Sequence, residues 1–397
     1  MELTASLLDI RFVILLGTLA LTRPLWPHRH CVKAGALCSA ALVGIGSPQT
    51  LLVISSIVVA YLYPLHRVIT RRQAAGASKR AGQAWLTFGV AGLLLIFIGF
   101  KLHRHFALPW LATSWLQMEL LALVGFSYFF FRAISFLRLS AITGVRETSP
   151  WPVLYYCLFP PTLTSGPIQR YTDFRAQLEQ PSRLTTAVVT AAGYRILRGL
   201  FRKLILASLL NGAVGSLMAL SPTTLTSSAS LVALYLYYYY DFAGYSDMAI
   251  GYGLLMGIRV PENFRRPFLA TSISEFWRNW HITLVDWFRD HVFITLGGMQ
   301  STRLKGAALA LLVMVLAGLW HGFTVGFLAW GIWHGLLMST EALLGVSPLS
   351  PSRRRGPRYW LRVLWTNARV AVGCAFFLPE WSSTVRLLRG LTEWGWS

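Results

Sequence analysis

Residues 305–337 read KGAALALLVMVLAGLWHGFTVGFLAWGIWHGLL. Two apolar runs, 305–320 and 322–345, flank one histidine, His321. A membrane-crossing helix needs about 20 mostly apolar residues, so each run reads as a membrane helix. Working outward, comparable runs recur near 7–22, 33–47, 50–65, 84–100, 115–138, 150–166, 203–220, 228–258 and 359–379. They predict about 9–11 transmembrane helices. Composition agrees: 55% of the 397 residues are hydrophobic and 13% charged, where a soluble domain carries about 45–50% apolar and about 25% charged residues. Sixteen Trp, fifteen Tyr and twenty-three Phe suit aromatic belts at two membrane interfaces. The expected fold is an all-α polytopic membrane protein, one membrane domain over 1–397. Disordered, fibrous and disulfide-rich secreted classes are excluded.

Thirty-six Lys and Arg outnumber fifteen Asp and Glu, a net charge of +21. In a soluble chain this balance would suggest nucleic acid. Here the basic residues gather in short linkers between apolar runs, as the positive-inside bias requires. Arg67, Arg71, Arg72, Lys79 and Arg80 fall in linker 66–82, and Arg353, Arg354, Arg355 and Arg358 in linker 346–358. Both linkers are expected on the cytoplasmic side, facing anionic lipid headgroups, and no nucleic-acid partner is expected. The first residues, MELTASLLDIR, lack a cationic signal region, so the run 7–22 is expected to stay as a membrane helix. The tail 382–397, with Leu387, Leu388 and Leu391 against Arg386 and Arg389, predicts a short interfacial helix. Cys31, Cys38, Cys157 and Cys374 are widely spaced, which indicates neither a disulfide framework nor a metal site.

One segment breaks the apolar pattern. Residues 241–290 hold six of the fifteen acids, Asp241, Asp247, Glu262, Glu275, Asp286 and Asp290, interleaved with arginines. Within it, SISEFWRNWHITLVDWFRD opens on a capping pattern, Ser272 to Glu275. Trp277, Trp280, Leu284 and Trp287 then recur at helical spacing. Such a helix suits the interface or the wall of a polar cavity. The acids read either as functional groups or as partners that hold irregular helices together.

Of nine histidines, His28, His30, His66, His103 and His105 sit in basic junctions, and His291 reads as interfacial. His281, His321 and His334 have richer settings. His321, flanked by Gly318 and Gly322, is the sharpest catalytic candidate. An imidazole stripped of water is held neutral, the form that acts as a general base. A core histidine bonded to a carbonyl is the alternative the residues leave open. Thirteen residues separate His321 from His334, about 20 Å of rise on one unbroken helix. Only a break at Gly322 or Gly326 brings them together. No H-E-x-x-H, P-loop or G-x-S-x-G motif occurs, so zinc, nucleotide and serine-hydrolase chemistry are not indicated.

Three ordered motifs, LFPPTLTSGPIQRY (158–171), YYYYDFAGYSDMAIGYGLLMGIRVPENFRRPFLATSISEFWRNWHITLVDWFRDHVFITLGG (237–298) and GLWHG (318–322), resemble the membrane-bound O-acyltransferase superfamily. The likeness is narrowest to the bacterial branch of alginate O-acetylation and teichoic-acid D-alanyl transfer, and is closest over about 150–335. It implies helices around a funnel or tunnel, with tilted or re-entrant helices, in the plasma (inner) membrane. The family's catalytic histidine corresponds to His321 and its second histidine to His281. No bound cofactor is implied. The co-substrate would be an acyl thioester, acetyl-CoA or an acylated carrier protein, and a partner protein outside the membrane could complete the transfer. Arg278, Trp280, Asp241, Trp320 and Arg170 are further candidates for contacting substrate or lining the tunnel. Where the acetylating branch often has FFR, this chain has FFL, with Leu378 in the arginine position.

The leading expectation is a membrane O-acyltransferase that moves a small acyl group, acetyl first, to an extracytoplasmic glycan, glycolipid or protein hydroxyl. D-alanyl transfer from a carrier protein is the alternative within the class. A transporter or acyl-group flippase would use the same buried polar groups as a permeation path. A scaffold that recruits a soluble transferase would not need His321.

Overall fold

A computed structural model describes residues 28–75, 79–106, 120–180, 184–300, 302–346 and 356–393. The expected first span, 7–22, and the arginines 353–355 lie outside them. Among the described residues the helices are α1 (His28–Gly46), α2 (Pro48–Ala74), α3 (Lys79–Phe106), α4 (Leu120–Thr143), α5 (Trp151–Cys157), α6 (Tyr171–Leu178), α7 (Thr186–Ala219), α8 (Thr224–Leu255), α9 (Ile273–Trp277), α10 (Ile282–Phe288), α11 (Arg303–His321), α12 (Val325–Leu343), α13 (Pro357–Cys374) and α14 (Trp381–Gly390). The protein is an all-α polytopic membrane protein. Pro48–Ala74, Gly82–Leu102, Thr186–Ala219 and Arg303–His321 are each long and apolar enough to cross a bilayer.

Two expectations change. Residues 150–166 do not form a span: α5 has seven residues, a four-residue turn follows at Pro160–Leu163, and Gly166–Pro167 cannot continue a helix. The basic residues 67–72 belong to the last turns of α2 rather than to a loop. That helix carries Pro64, which lacks an N–H, and it widens to a π turn over Ile57–Leu62 just before it. The amphipathic tail helix forms as expected, with Thr384 and Leu387 buried.

The chain divides into two compact units: residues 1–197 with 247–261, and residues 198–246 with 262–397. The first is built around an aromatic core that includes Phe126, Phe129, Phe136, Tyr156, Phe159 and Phe174, all at most 1% exposed. Arg132 of α4 is fully buried within it. Its guanidinium donates to the carbonyls of Tyr156 and Cys157, at 3.0 and 3.3 Å, and to the carbonyl and hydroxyl oxygens of Thr162. One cation thus satisfies the carbonyls left over where α5 ends, which would be costly to bury unpaired. His66 of α2 bonds the Ser140 hydroxyl at 2.8 Å, and its Nε2 accepts the Glu147 N–H at 3.1 Å. Asp247 of α8 pairs with Arg195 of α7 at 2.6 Å.

In the second unit, Asp241 of α8 pairs with Lys203 of α7 at 2.5 Å. Both mid-helix aspartates are therefore taken up by cations of α7, the structural role for such acids. Helices α11 and α12 form a tight hairpin. A Cβ at Gly331 would stand 2.7 Å from the Met314 carbonyl oxygen, and one at Gly318 would stand 2.3 Å from that of Phe327. Where lipid is as apolar as the side chains, such close backbone approach is a main source of helix association. The hairpin turns because Gly322 is extended (φ 174°) and Thr324 caps α12, its hydroxyl accepting the Phe327 N–H.

Candidate active site

The site lies in the second unit. His321 is the last residue of α11, so it stands at the mouth of the hairpin. Its ring is enclosed by aromatic rings: Trp320 at 4.6 Å, Phe377 at 4.9 Å, Trp330 at 5.4 Å and Phe327 at 5.6 Å between centroids. The imidazole remains partly exposed inside this ring of faces. An apolar enclosure with one titratable nitrogen group is an environment in which proton transfer is little screened by water.

His281 sits near enough for charge on His321 to act on it. It lies between α9 and α10, outside the spanning helices, and is 5% exposed. Burial holds its pKa well below the ordinary histidine range, and His321 pushes in the same direction. Phe242 contacts it edge-on at 4.6 Å. Its backbone is left-handed, with φ 46°, a conformation that costs a non-glycine residue energy unless its surroundings impose it.

Asn263 imposes it. The Asn263 carbonyl accepts the Ile282 N–H at 3.0 Å, and its Oδ1 accepts the Thr283 hydroxyl at 2.7 Å. Its amide donates to the Ser246 hydroxyl at 3.3 Å, and the backbone pairs locally, Phe264 with Trp280. The expected continuous helix across 272–290 is consequently broken at 278–281, since the tether turns the chain by the left-handed residue. At the start of α9 the Ser272 hydroxyl accepts the Glu275 N–H, and the Glu275 carboxylate accepts the Thr271 N–H and hydroxyl. Glu341 of α12 takes up the start of α9, accepting the N–H groups of Ile273 and Ser274 at 2.7 and 2.9 Å. The loop that carries His281 is thus fastened to the hairpin that carries His321.

The profile of the membrane-bound O-acyltransferase family (MBOAT) matches residues 75–378. The chain belongs to the membrane-bound O-acyltransferase family. The matched region is wider than the 150–335 that the motifs marked. Among relatives, it is 33% identical over 322 residues to the probable alginate O-acetylase AlgI of Pseudomonas putida, covering 77% of this chain and 64% of that protein. It is 34% identical over 238 residues to the teichoic acid D-alanyltransferase of Streptococcus thermophilus, covering 55% and 56%. It is 33% identical over 197 residues to the peptidoglycan O-acetyltransferase of Helicobacter pylori, covering 47% and 37%. The chain spans about three fifths of the length of the AlgI relatives it matches.

Against this family background, the sequence candidates separate. His321, His281 and Trp320 come together. Trp280 joins an aromatic cluster with Phe264, Phe276, Tyr235 and Tyr239, and so shapes the segment beside His281. The Arg278 side chain is exposed, and Asp241 is engaged by Lys203. Arg170 lies in the first unit. Both His321 and His334 touch the Trp330 ring, the latter at 5.2 Å, because the chain does break at Gly322. Asn263, Glu341, Trp330 and Phe377 escaped the sequence reading. Asn263 had a signal in its place within the second motif, and Phe377 in the FFL stretch beside Leu378. Among the described residues no three His, Cys, Asp or Glu side chains group as metal ligands.

Proposed function

We propose that the protein is an O-acyltransferase of the bacterial plasma (inner) membrane. It takes a small acyl group, acetyl first, from a cytoplasmic thioester donor and places it on an extracytoplasmic glycan, glycolipid or partner-protein hydroxyl. The observation that supports this most is the aromatic enclosure of His321 with His281 beside it, in a chain of the membrane-bound O-acyltransferase family. His321 removes the proton as the acceptor hydroxyl oxygen attacks the thioester carbonyl. The oxygen–carbon ester bond forms, the carbon–sulfur bond breaks, and the thiolate leaves with the proton that His321 returns. The neutral ring of His281 donates to the oxyanion that develops between these steps. Similarity to both acetyl and D-alanyl transfer proteins makes alanyl transfer from a carrier protein the second reading.

The test offers radiolabelled acetyl-CoA and alanyl-carrier protein in parallel to purified protein in nanodiscs, beside His321→Ala. Ester-linked label from one donor, reduced by about 10²–10⁴-fold in the variant with normal membrane insertion, is the expected result. Equal labelling by wild type and variant removes His321 from the mechanism and favours a scaffold.

A further inference from the structure

We propose that the hydroxyl of Tyr238 is a second donor to the oxyanion formed beside His321, an inference that rests on the acyltransferase reading above. Tyr238 belongs to the run of tyrosines 237–240 that opens the second motif, and the structure gives these rings different surroundings. The Tyr239 ring packs with Phe264, Phe268 and Trp280 at 5.4, 4.6 and 6.0 Å, in the cluster that also holds Tyr235. The Tyr235 hydroxyl is used within the fold, donating to Asn367 Oδ1 at 2.9 Å.

Tyr238 has another neighbourhood. It and Phe242 stand one helical turn apart along α8. Phe242 meets the His281 ring at 4.6 Å, and Tyr238 meets Phe377 at 5.7 Å, the same Phe377 that lies 4.9 Å from His321. This strip of α8 therefore borders the surroundings of both histidines, within the second unit. The four rings around His321, those of Trp320, Phe327, Trp330 and Phe377, carry no hydroxyl. Tyr238 brings one to the next position out. Its side chain is partly exposed, as is that of His321, and among the described residues its hydroxyl has no hydrogen-bond partner. A phenol in apolar surroundings normally finds one. Here the partner is what enters beside His321.

As the acceptor oxygen adds to the thioester carbonyl carbon, the carbonyl π pair moves onto its oxygen. The Tyr238 O–H and the His281 N–H donate to that oxyanion, and the apolar enclosure strengthens both bonds. When the pair returns, the carbon–sulfur bond breaks and His321 gives its proton to the thiolate. Tyr238 keeps its own proton throughout, since a phenol remains a donor at neutral pH.

The test follows thiol release from acetyl-CoA and from alanyl-carrier protein by full-length protein in nanodiscs. Water alone and glycerol serve as acceptors, and wild type, Tyr238→Phe and protein with 3-fluorotyrosine at position 238 are compared. Tyr238→Phe is expected to lower kcat about 10²-fold with either acceptor at nearly unchanged donor KM. Its melting temperature should match that of wild type, because the hydroxyl has no partner in the fold to lose. The fluorinated phenol is more acidic and a stronger donor, so kcat should return to the wild-type value or rise up to about threefold above it. Overall packing alone would not produce that response. A kcat that Tyr238→Phe leaves unchanged overturns the proposal, as does a lost kcat accompanied by a lower melting temperature and no recovery with 3-fluorotyrosine. A raised KM with kcat kept also overturns it, since the phenol would then bind the ground state. No thiol release by the wild type from either donor removes the acyltransferase reading and this proposal together, whereas release insensitive to Tyr238→Phe removes the proposal alone.

Discussion

His281 carries two requirements at one position, a left-handed backbone and a buried imidazole, and substitution can separate them. Asparagine tolerates the left-handed region better than most residues, so His281→Asn keeps the turn and removes the ring. Transfer is expected to fall about 10²-fold, the usual cost of one oxyanion donor, while the variant elutes as a monodisperse species from size-exclusion chromatography. The same variant should alter the acid response. Burial holds the folded-state pKa of His281 low, so below about pH 6.5 the unfolded chain takes up a proton that the folded one refuses. Stability is thereby present above that pH and declines as pH falls through it. Melting temperatures from pH 8 to pH 5.5 should drop less in His281→Asn than in wild type. The residue scale also sets the limit of the sequence reading. His321 stood out by its apolar flanks and neighbouring glycines, whereas the turn at His281 was hidden. The tryptophan spacing continues through it, and the residue that bends the chain, Asn263, is eighteen positions upstream.

Among elements, the α11–α12 hairpin was legible, since two apolar runs meet at Gly322 and Thr324 supplies a cap. Its closeness depends on Gly331, whose Cα hydrogen faces the backbone of residues 314 and 315. Gly331→Leu must push the helices apart and is expected to cost about 1–3 kcal/mol, read as a lower melting temperature in detergent together with reduced transfer, since His321 ends α11. The broken segment 150–166 was not legible. By composition it is as apolar as a span, and what terminates it is Arg132 of another helix, binding the released carbonyls. Arg132 lies inside the apolar run 115–138, and nothing in the sequence says which carbonyls it binds. Arg132→Met should remove about 3 kcal/mol or more, because each hydrogen bond to a charged group contributes about 1.5–3 kcal/mol and the carbonyls lose their partner. The thermal shift of the purified variant measures it.

For the whole molecule, hydropathy gave the class, and nine of the eleven expected runs fall on helices. The sidedness follows from charge: the end of α2 and linker 346–358 are basic and are expected to face the cytoplasm. Single cysteines placed at positions 73 and 356, in a cysteine-free background, should resist a membrane-impermeant maleimide in intact cells and react in inverted vesicles. Ready labelling of either from outside would reverse the orientation.

The rings around His321 have an optical consequence. Two of the sixteen tryptophans, Trp320 and Trp330, lie against that imidazole. A protonated imidazole accepts an electron from an excited indole, and a neutral one does so far less. Charging His321 therefore dims two emitters and leaves the distant ones unchanged. The molecule thus carries its own fluorescent gauge of the protonation of His321, readable in lipid without any added dye.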